Sequence, residues 1–147
     1  TVIQVDGLHD VDEQATGRII SDLVKSKIDV LPVVKIKNTE HGLETYSNLD
    51  LLLGMRMHSN ILAAIAGTPF VAISYEYKTE GIAKQLGVGE YVLNCKDVDE
   101  NKLLELLLEA YKNKDNISSL LKKSVNNIKS SEIPKWDNIF SNIISFS

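Results

Sequence analysis

The chain has one cysteine, three prolines, one tryptophan and two arginines among its 147 residues. A single cysteine, Cys95, excludes an intrachain disulfide and any zinc site built from several thiolates. The sparing use of thiols suits a reducing compartment, and a cytoplasmic location is expected. The two arginines, Arg18 and Arg56, sit in a chain of net charge −4. Neither half carries the basic excess of a nucleic-acid module or of a membrane-surface element. Long apolar runs are missing too. The most apolar window, residues 51–75, is broken by Arg56, His58 and Gly67-Thr68-Pro69, whereas a membrane helix needs about 20 uninterrupted apolar residues. It reads as buried core. No GxGxxG follows a strand-like run, so a dinucleotide site is unsupported. GxxxxGK[ST], HExxH and GxSxG are also absent, which argues against a P-loop, a zinc protease and a serine hydrolase.

What is present is ordinary globular composition, 44% hydrophobic and 24% charged, at a length common for one domain. Short β-rich runs alternate with helical patterns. The runs Val2–Val5, Ile28–Val34, Leu49–Leu53, Phe70–Ser74 and Tyr91–Cys95 predict strands. Leu49–Leu53 hardly alternates, so both its faces are expected to be buried. Helices are predicted over Asp12–Lys25, Thr39–Ser47, His58–Ala66 with Gly67 as its stop, and Lys78–Leu86 with Gly87 as its stop. Further helices are expected over Glu100–Asn113, capped by Asp99, and over Asn116–Lys129 and Trp136–Phe146, separated by Pro134. Strand–helix alternation of this length predicts an α/β fold. Its core is a Rossmann-like open parallel sheet of about five strands with helices on both faces. Residues 1–147 are expected to form one domain, with the sheet and site in 1–95 and the last crossover and C-terminal helices in 96–147. The chain opens at Thr1 inside a strand-like run, with no signal peptide in view, so further sequence upstream is expected.

Ligands in such sheets bind beyond the carboxyl ends of the strands. One of those ends is Gly54-Met55-Arg56-Met57-His58-Ser59. Arg56 is the one fully charged residue between Leu51 and Tyr75. Burial of a guanidinium costs solvation, and a helix start already carries positive dipole charge. A bound anion would offset both. Amides at a helix start bind phosphate or carboxylate, a guanidinium grips either bidentately, and His58 can exchange a proton near neutral pH. The alternative is structural: Arg56 pairs with Asp50 or Glu76, and His58 caps a carbonyl. Ser74-Tyr75-Glu76-Tyr77-Lys78 leaves the next strand on the same rim. There Lys78 either adds charge to an anion site or points to water.

Other candidates have plainer readings. Asp6, His9, Asp10 and Asp12 suit helix capping better than a metal site. Cys95 reads as a small buried hydrophobe, His41 as a surface helix residue, and Trp136 with Phe140 as core anchors at i,i+4. No metal and no cofactor are expected.

The stretches LLLGMRMHS (51–59) and AAIAGTPFVAISYEYK (63–78) resemble the polysaccharide pyruvyl transferase family. The shared pattern is roughly GxRxH, then AxxxGxP, then a strand ending SYxxK. The likeness is contiguous over about 28 residues. Asp6 to Cys95 follows the order of elements in that family's C-terminal half, and residues past 100 match only as helices. The resemblance implies a glycosyltransferase-B-like enzyme of two Rossmann-like halves with the active site between them, of which this chain is the C-terminal half. It implies transfer of a pyruvyl group from phosphoenolpyruvate to two sugar hydroxyls as a cyclic ketal. The acceptor would be a glycan or a lipid-linked saccharide. By motif, Arg56 would hold the donor's phosphate or carboxylate, His58 would be the catalytic acid/base, and Met57 would offer its amide beside Ser59. Tyr75 and Lys78 would be secondary contacts. The alternatives are a nucleotide-sugar glycosyltransferase of the same architecture and a non-catalytic interaction domain of the same fold. The sequence departs from the pattern at Met57, where leucine is commoner, and at Glu76-Tyr77, where Asp-Pro is frequent. With Glu76-Tyr77 there, the loop before Lys78 lacks a rigid proline φ. The family's glycine-rich N-terminal half is expected to lie upstream, outside this stretch.

Overall fold

A computed structural model of the protein describes residues 3–4, 18, 21–22, 24–27 and 34–145. They fall into two compact units, Thr1–Thr45 and Tyr46–Ser147.

In the first unit, β1 (Ile3–Gln4) pairs in parallel with β2 (Val34–Lys35), with Ile3 opposite Val34. Residues 18, 21–22 and 24–25 are helical, within the helix expected over Asp12–Lys25. Helix α1 (Thr39–Ser47), whose last two residues are counted with the second unit, has the expected bounds. Its start is capped by Asn38, whose Oδ1 accepts the His41 N–H at 2.8 Å, and the His41 Nδ1 accepts the Lys37 N–H at 3.3 Å. The acidic cluster at Asp6–Asp12 lies outside the described residues.

The second unit runs β3 (Leu52–Gly54), α2 (Met57–Ala66), β4 (Phe70–Ser74), α3 (Tyr77–Leu86), a single 3-10 turn at Gly89–Tyr91, β5 (Val92–Asn94), α4 (Glu100–Lys112) and α5 (Lys114–Ser145). The strands form one parallel sheet in the order β3-β4-β5, with Gly54 opposite Ala72 and Ser74 opposite Asn94. Parallel neighbours need a crossover, which α2 and α3 supply. The α/β class is therefore as expected. The continuous sheet of about five strands is shown only as these two- and three-stranded pieces.

The middle strand carries the core. Phe70, Val71, Ala72 and Ser74 are all 0–1% exposed, as a uniformly apolar run flanked on both sides requires. β3 behaves differently. Leu52 and Gly54 are buried, but Leu53 is 45% exposed. The expectation that both faces of this strand are buried is thus corrected: β3 ends the three-stranded sheet and only one of its faces is covered among the described residues. Against the sheet, Ala63 and Ala64 of α2 are sealed, since a methyl side chain lets helix and strand backbones approach closely. Both α2 and α3 end as glycine predicts. Gly67 has φ 76° and Gly87 has φ 80°. In each case the glycine N–H bonds three residues back and the next N–H five back, Thr68 to the Ala63 carbonyl and Val88 to the Ala83 carbonyl. This is the Schellman pattern.

Helix α4 starts at Asp99, whose Oδ1 accepts the Lys102 N–H at 2.9 Å. That backbone hydrogen bond holds the Asp99 carboxyl below its usual range. Helix α5 packs against α2 and α3 through buried Ile117 and Leu121, and Ser118 Oγ donates to the Gly67 carbonyl at 2.6 Å. Burying a leucine such as Leu121 contributes about 2 kcal/mol. The two expected C-terminal helices are one: α5 runs through Pro134. Proline removes one N–H and frees the carbonyl four residues back. Here that residue is Ser130, which is exposed, so water can satisfy it. The Trp136 and Phe140 side chains lie outside the described residues. Cys95 is exposed, not buried as expected. It follows the end of β5, beyond the strand's last core position. No helix among the described residues is long and apolar enough to cross a membrane.

Candidate functional site

Gly54 ends β3 and Ser74 ends β4, and the two strands are hydrogen-bonded neighbours running in parallel. The segments 54–59 and 74–78 therefore leave the same edge of the sheet side by side, as expected. Each turns into a helix after two residues. Arg56 is the N-cap of α2 and Glu76 that of α3, both with extended backbone and neither with a side-chain cap hydrogen bond. Tyr77 takes the first helical position of α3, the place proline favours for its fixed φ. The helix thus begins there without the proline that the resemblance would supply.

The first amides of a helix have no intrahelical acceptor. In α2, the N–H groups of Ser59 and Asn60 reach back to the Arg56 carbonyl at 3.1 and 3.3 Å. The amides of Met57 and His58 remain as donors without a backbone acceptor among the described residues. Around them Arg56 and His58 are exposed, Met57 is partly buried and Ser59 is buried. The expected burial of the Arg56 guanidinium is corrected. It stands on the rim, because β3 ends two residues earlier and the N-cap residue projects past the sheet edge. Solvent exposure removes the desolvation argument for a counter-anion and leaves the positional one: a cation beside donor amides at a helix start. Asp50, one of the internal partners considered for it, is bonded to Lys114, whose ammonium that carboxylate holds above the usual lysine value.

On the neighbouring segment Lys78 is exposed, as are Tyr75 at 50% and Tyr77 at 79%. Ser74 Oγ donates to the Glu76 carbonyl at 2.7 Å, fixing the turn. Asn94 at the end of β5 donates from Nδ2 to Glu80 Oε1 at 3.3 Å, tying the third strand to the first turn of α3. The rim thus places the exposed residues Arg56, His58 and Lys78 next to two tyrosine rings and two helix starts.

Sequence reasoning missed one polar residue here. Asn60 is only 2% exposed, and neither its Oδ1 nor its Nδ2 has a hydrogen-bond partner. It packs so closely on Gly54 that a Cβ placed on that glycine would collide with Asn60 Oδ1. The signal available in the sequence was one amide heading the apolar run Ile-Leu-Ala-Ala-Ile-Ala of a helix expected to be buried.

Two grooves lie elsewhere. One, of about 210 Å³, is lined by polar groups that include Asp50, Thr68, Lys114, Ser118 and Lys122. The other, of about 260 Å³, is apolar, between Ile61, Ile65, Ile82, Leu86, Val125 and Ile128. Neither includes Arg56, His58 or Lys78. The polar groove lies by the start of β4, the wrong edge for ligand binding in a parallel sheet, and its Asp50 and Lys114 neutralise each other. The candidate residues thus lie on an open rim rather than in either groove.

A family model described as polysaccharide pyruvyl transferase matches residues 3–77, just over half the chain and including the whole β3–α2 turn. Among curated proteins, the amylovoran biosynthesis protein AmsJ of Erwinia amylovora is 27% identical over 126 residues. That stretch is 85% of this chain but 30% of the relative, so the chain spans about a third of that protein. No solved structure matches significantly.

Proposed function

The chain belongs to the polysaccharide pyruvyl transferase family, a family of transferases, and from that membership we propose that it is the donor-binding, C-terminal part of a glycosyltransferase-B-like enzyme. The enzyme moves a pyruvyl group from phosphoenolpyruvate onto two hydroxyls of a glycan or lipid-linked saccharide. The observation that carries this reading is the β3–α2 turn. Its donor amides at Met57 and His58 lie beside the Arg56 cation, on the ligand-binding edge of a parallel sheet.

The chemistry follows from the groups present. Phosphoenolpyruvate carries a phosphate and a carboxylate. Arg56 grips one of them bidentately, and the helix-start amides with Ser59 hold the same anion from below. Lys78 and Tyr75, on the adjoining segment, contact the rest of the donor. His58 gives a proton to the methylene carbon, which becomes a methyl group and leaves an electrophilic centre at C2. One sugar hydroxyl adds there, and a second displaces phosphate. One hydroxyl proton thereby replaces the proton spent on the methyl group, and the other leaves on the phosphate. The scheme uses no metal and no cofactor. A cytoplasmic enzyme would have this donor at hand, and an exposed Cys95 suits a reducing compartment.

Thermal denaturation of the intact protein separates the readings. Phosphoenolpyruvate should raise the melting temperature, and UDP- and GDP-sugars should not. The reverse pattern would make the chain a nucleotide-sugar glycosyltransferase domain. Stabilisation by neither would favour a non-catalytic interaction domain.

A further inference from the structure

A buried side-chain amide with no partner costs free energy on both its donor and its acceptor, so such a group calls for a reason. Asn60 is the one residue among those described whose side chain carries both. The remaining such atom, Thr79 Oγ1, is a single hydroxyl in the first turn of α3. Asn60 is the fourth residue of α2. Side chains on a helix tilt toward its N-terminus, and the carboxamide accordingly lies against Gly54, the residue that opens the turn. The site thus combines two independent features. One is the start of a ten-residue helix with two donor amides; the other is a polar group, all but sealed, pressed against the backbone that leads into it.

We propose that Asn60 is a positioning residue of the donor site, its carboxamide waiting beneath the β3–α2 turn to hydrogen-bond the backbone of residues 54–57 once an anion draws that turn onto the helix start. The inference rests on the donor-site reading above. Because both Asn60 polar atoms are out of solvent, the amide does not touch the donor. It acts by fixing the peptide planes that carry the Met57 and His58 amides. Gly54 is needed for the same reason, since no other residue leaves room for the carboxamide. Ligand binding then gives the amide its partners, and part of the affinity comes from that gain.

Two variants test this by calorimetric titration with phosphoenolpyruvate, beside melting temperatures without ligand. Asn60→Leu keeps the branched heavy-atom skeleton, at a somewhat larger volume, and removes the unpaired polar atoms. Its unligated melting temperature should equal or exceed that of the parent, while its dissociation constant should rise about 10-fold or more, the weight of one hydrogen bond to a buried group. Asn60→Ser keeps a hydroxyl that can bond the turn, and should recover part of the lost affinity. Folded variants with the parent's affinity would overturn the inference and leave the donor-site reading standing. Affinity lost equally by both, in proportion to lost stability, would reduce Asn60 to a packing role. A parent protein that does not bind phosphoenolpyruvate would overturn both.

Discussion

Arg56→Ala abolishes the stabilisation that phosphoenolpyruvate gives the protein and leaves the unligated melting temperature nearly where it was. Both halves of this result follow from where the side chain stands. Arg56 is the N-cap of α2, exposed and without a side-chain cap hydrogen bond, so its removal opens no cavity and costs about 1 kcal/mol at most, the weight of a surface ion pair or hydrogen bond. Its loss at the ligand is of another order. A ligand present at a hundredfold its dissociation constant stabilises by about 2.7 kcal/mol, which is about 5–10 °C for a chain of this size. A guanidinium makes two charge-assisted hydrogen bonds to a phosphate or carboxylate, each of about 1.5–3 kcal/mol. Losing them weakens binding by about 10²-fold or more, enough to erase the shift. Lysine would not restore it in full, because a point charge lacks the planar fork. Equal stabilisation of mutant and parent would remove Arg56 from the site.

His58→Ala has the complementary signature in the full-length enzyme: the donor still binds, and phosphate release falls by about 10²–10⁴-fold, the usual weight of a positioned acid or base. The separation is expected because the two residues flank Met57 at the helix start but differ in task. The His58 backbone amide survives the substitution and still faces the anion; only the imidazole, exposed at the second position of α2, is lost. Isothermal titration with phosphoenolpyruvate and a phosphate-release assay on the same preparation measure the two halves. Turnover at the parent rate would end the acid/base role. A large loss of donor affinity with unchanged turnover of bound donor would make His58 a binding residue instead.

Much of the second unit was legible in the sequence, and the reasons are local. Phe70–Ser74 has its predicted bounds because an apolar run between Gly67-Thr68-Pro69 and a polar turn admits one strand. Gly67 and Gly87 stop their helices because only glycine takes a positive φ at no steric cost. Asp99 caps α4 through a bond to an amide three residues on, a short-range rule. What failed depended on the surroundings. Leu51–Leu53 is as apolar as β4, but burial is decided by what lies on each face, and Leu53 has one side open. Pro134 has the sequence of a helix break, yet the carbonyl it frees is at an exposed turn, and the helix continues.

The site shows the same division. That Gly54–Ser59 and Ser74–Lys78 share a rim could be read from strand order alone. That Arg56 is exposed could not, since an apolar neighbourhood in sequence does not say whether the chain has already passed the sheet edge. Correcting this changes the argument for the anion without removing it: the cation needs no rescue from burial, but it stands where a charged ligand can reach it. Asn60 was visible as a lone amide in an apolar helix, yet its contact with Gly54 needed the fold.

Backbone amide NMR of the protein titrated with phosphoenolpyruvate locates the donor directly. The largest shift changes should fall on the Met57, His58 and Ser59 amides, with smaller ones at residues 75–78, and saturate together. Saturating changes confined to the polar groove around Thr68, Ser118 and Lys122, with the α2 start unmoved, would contradict a donor site on the β3–α2 turn.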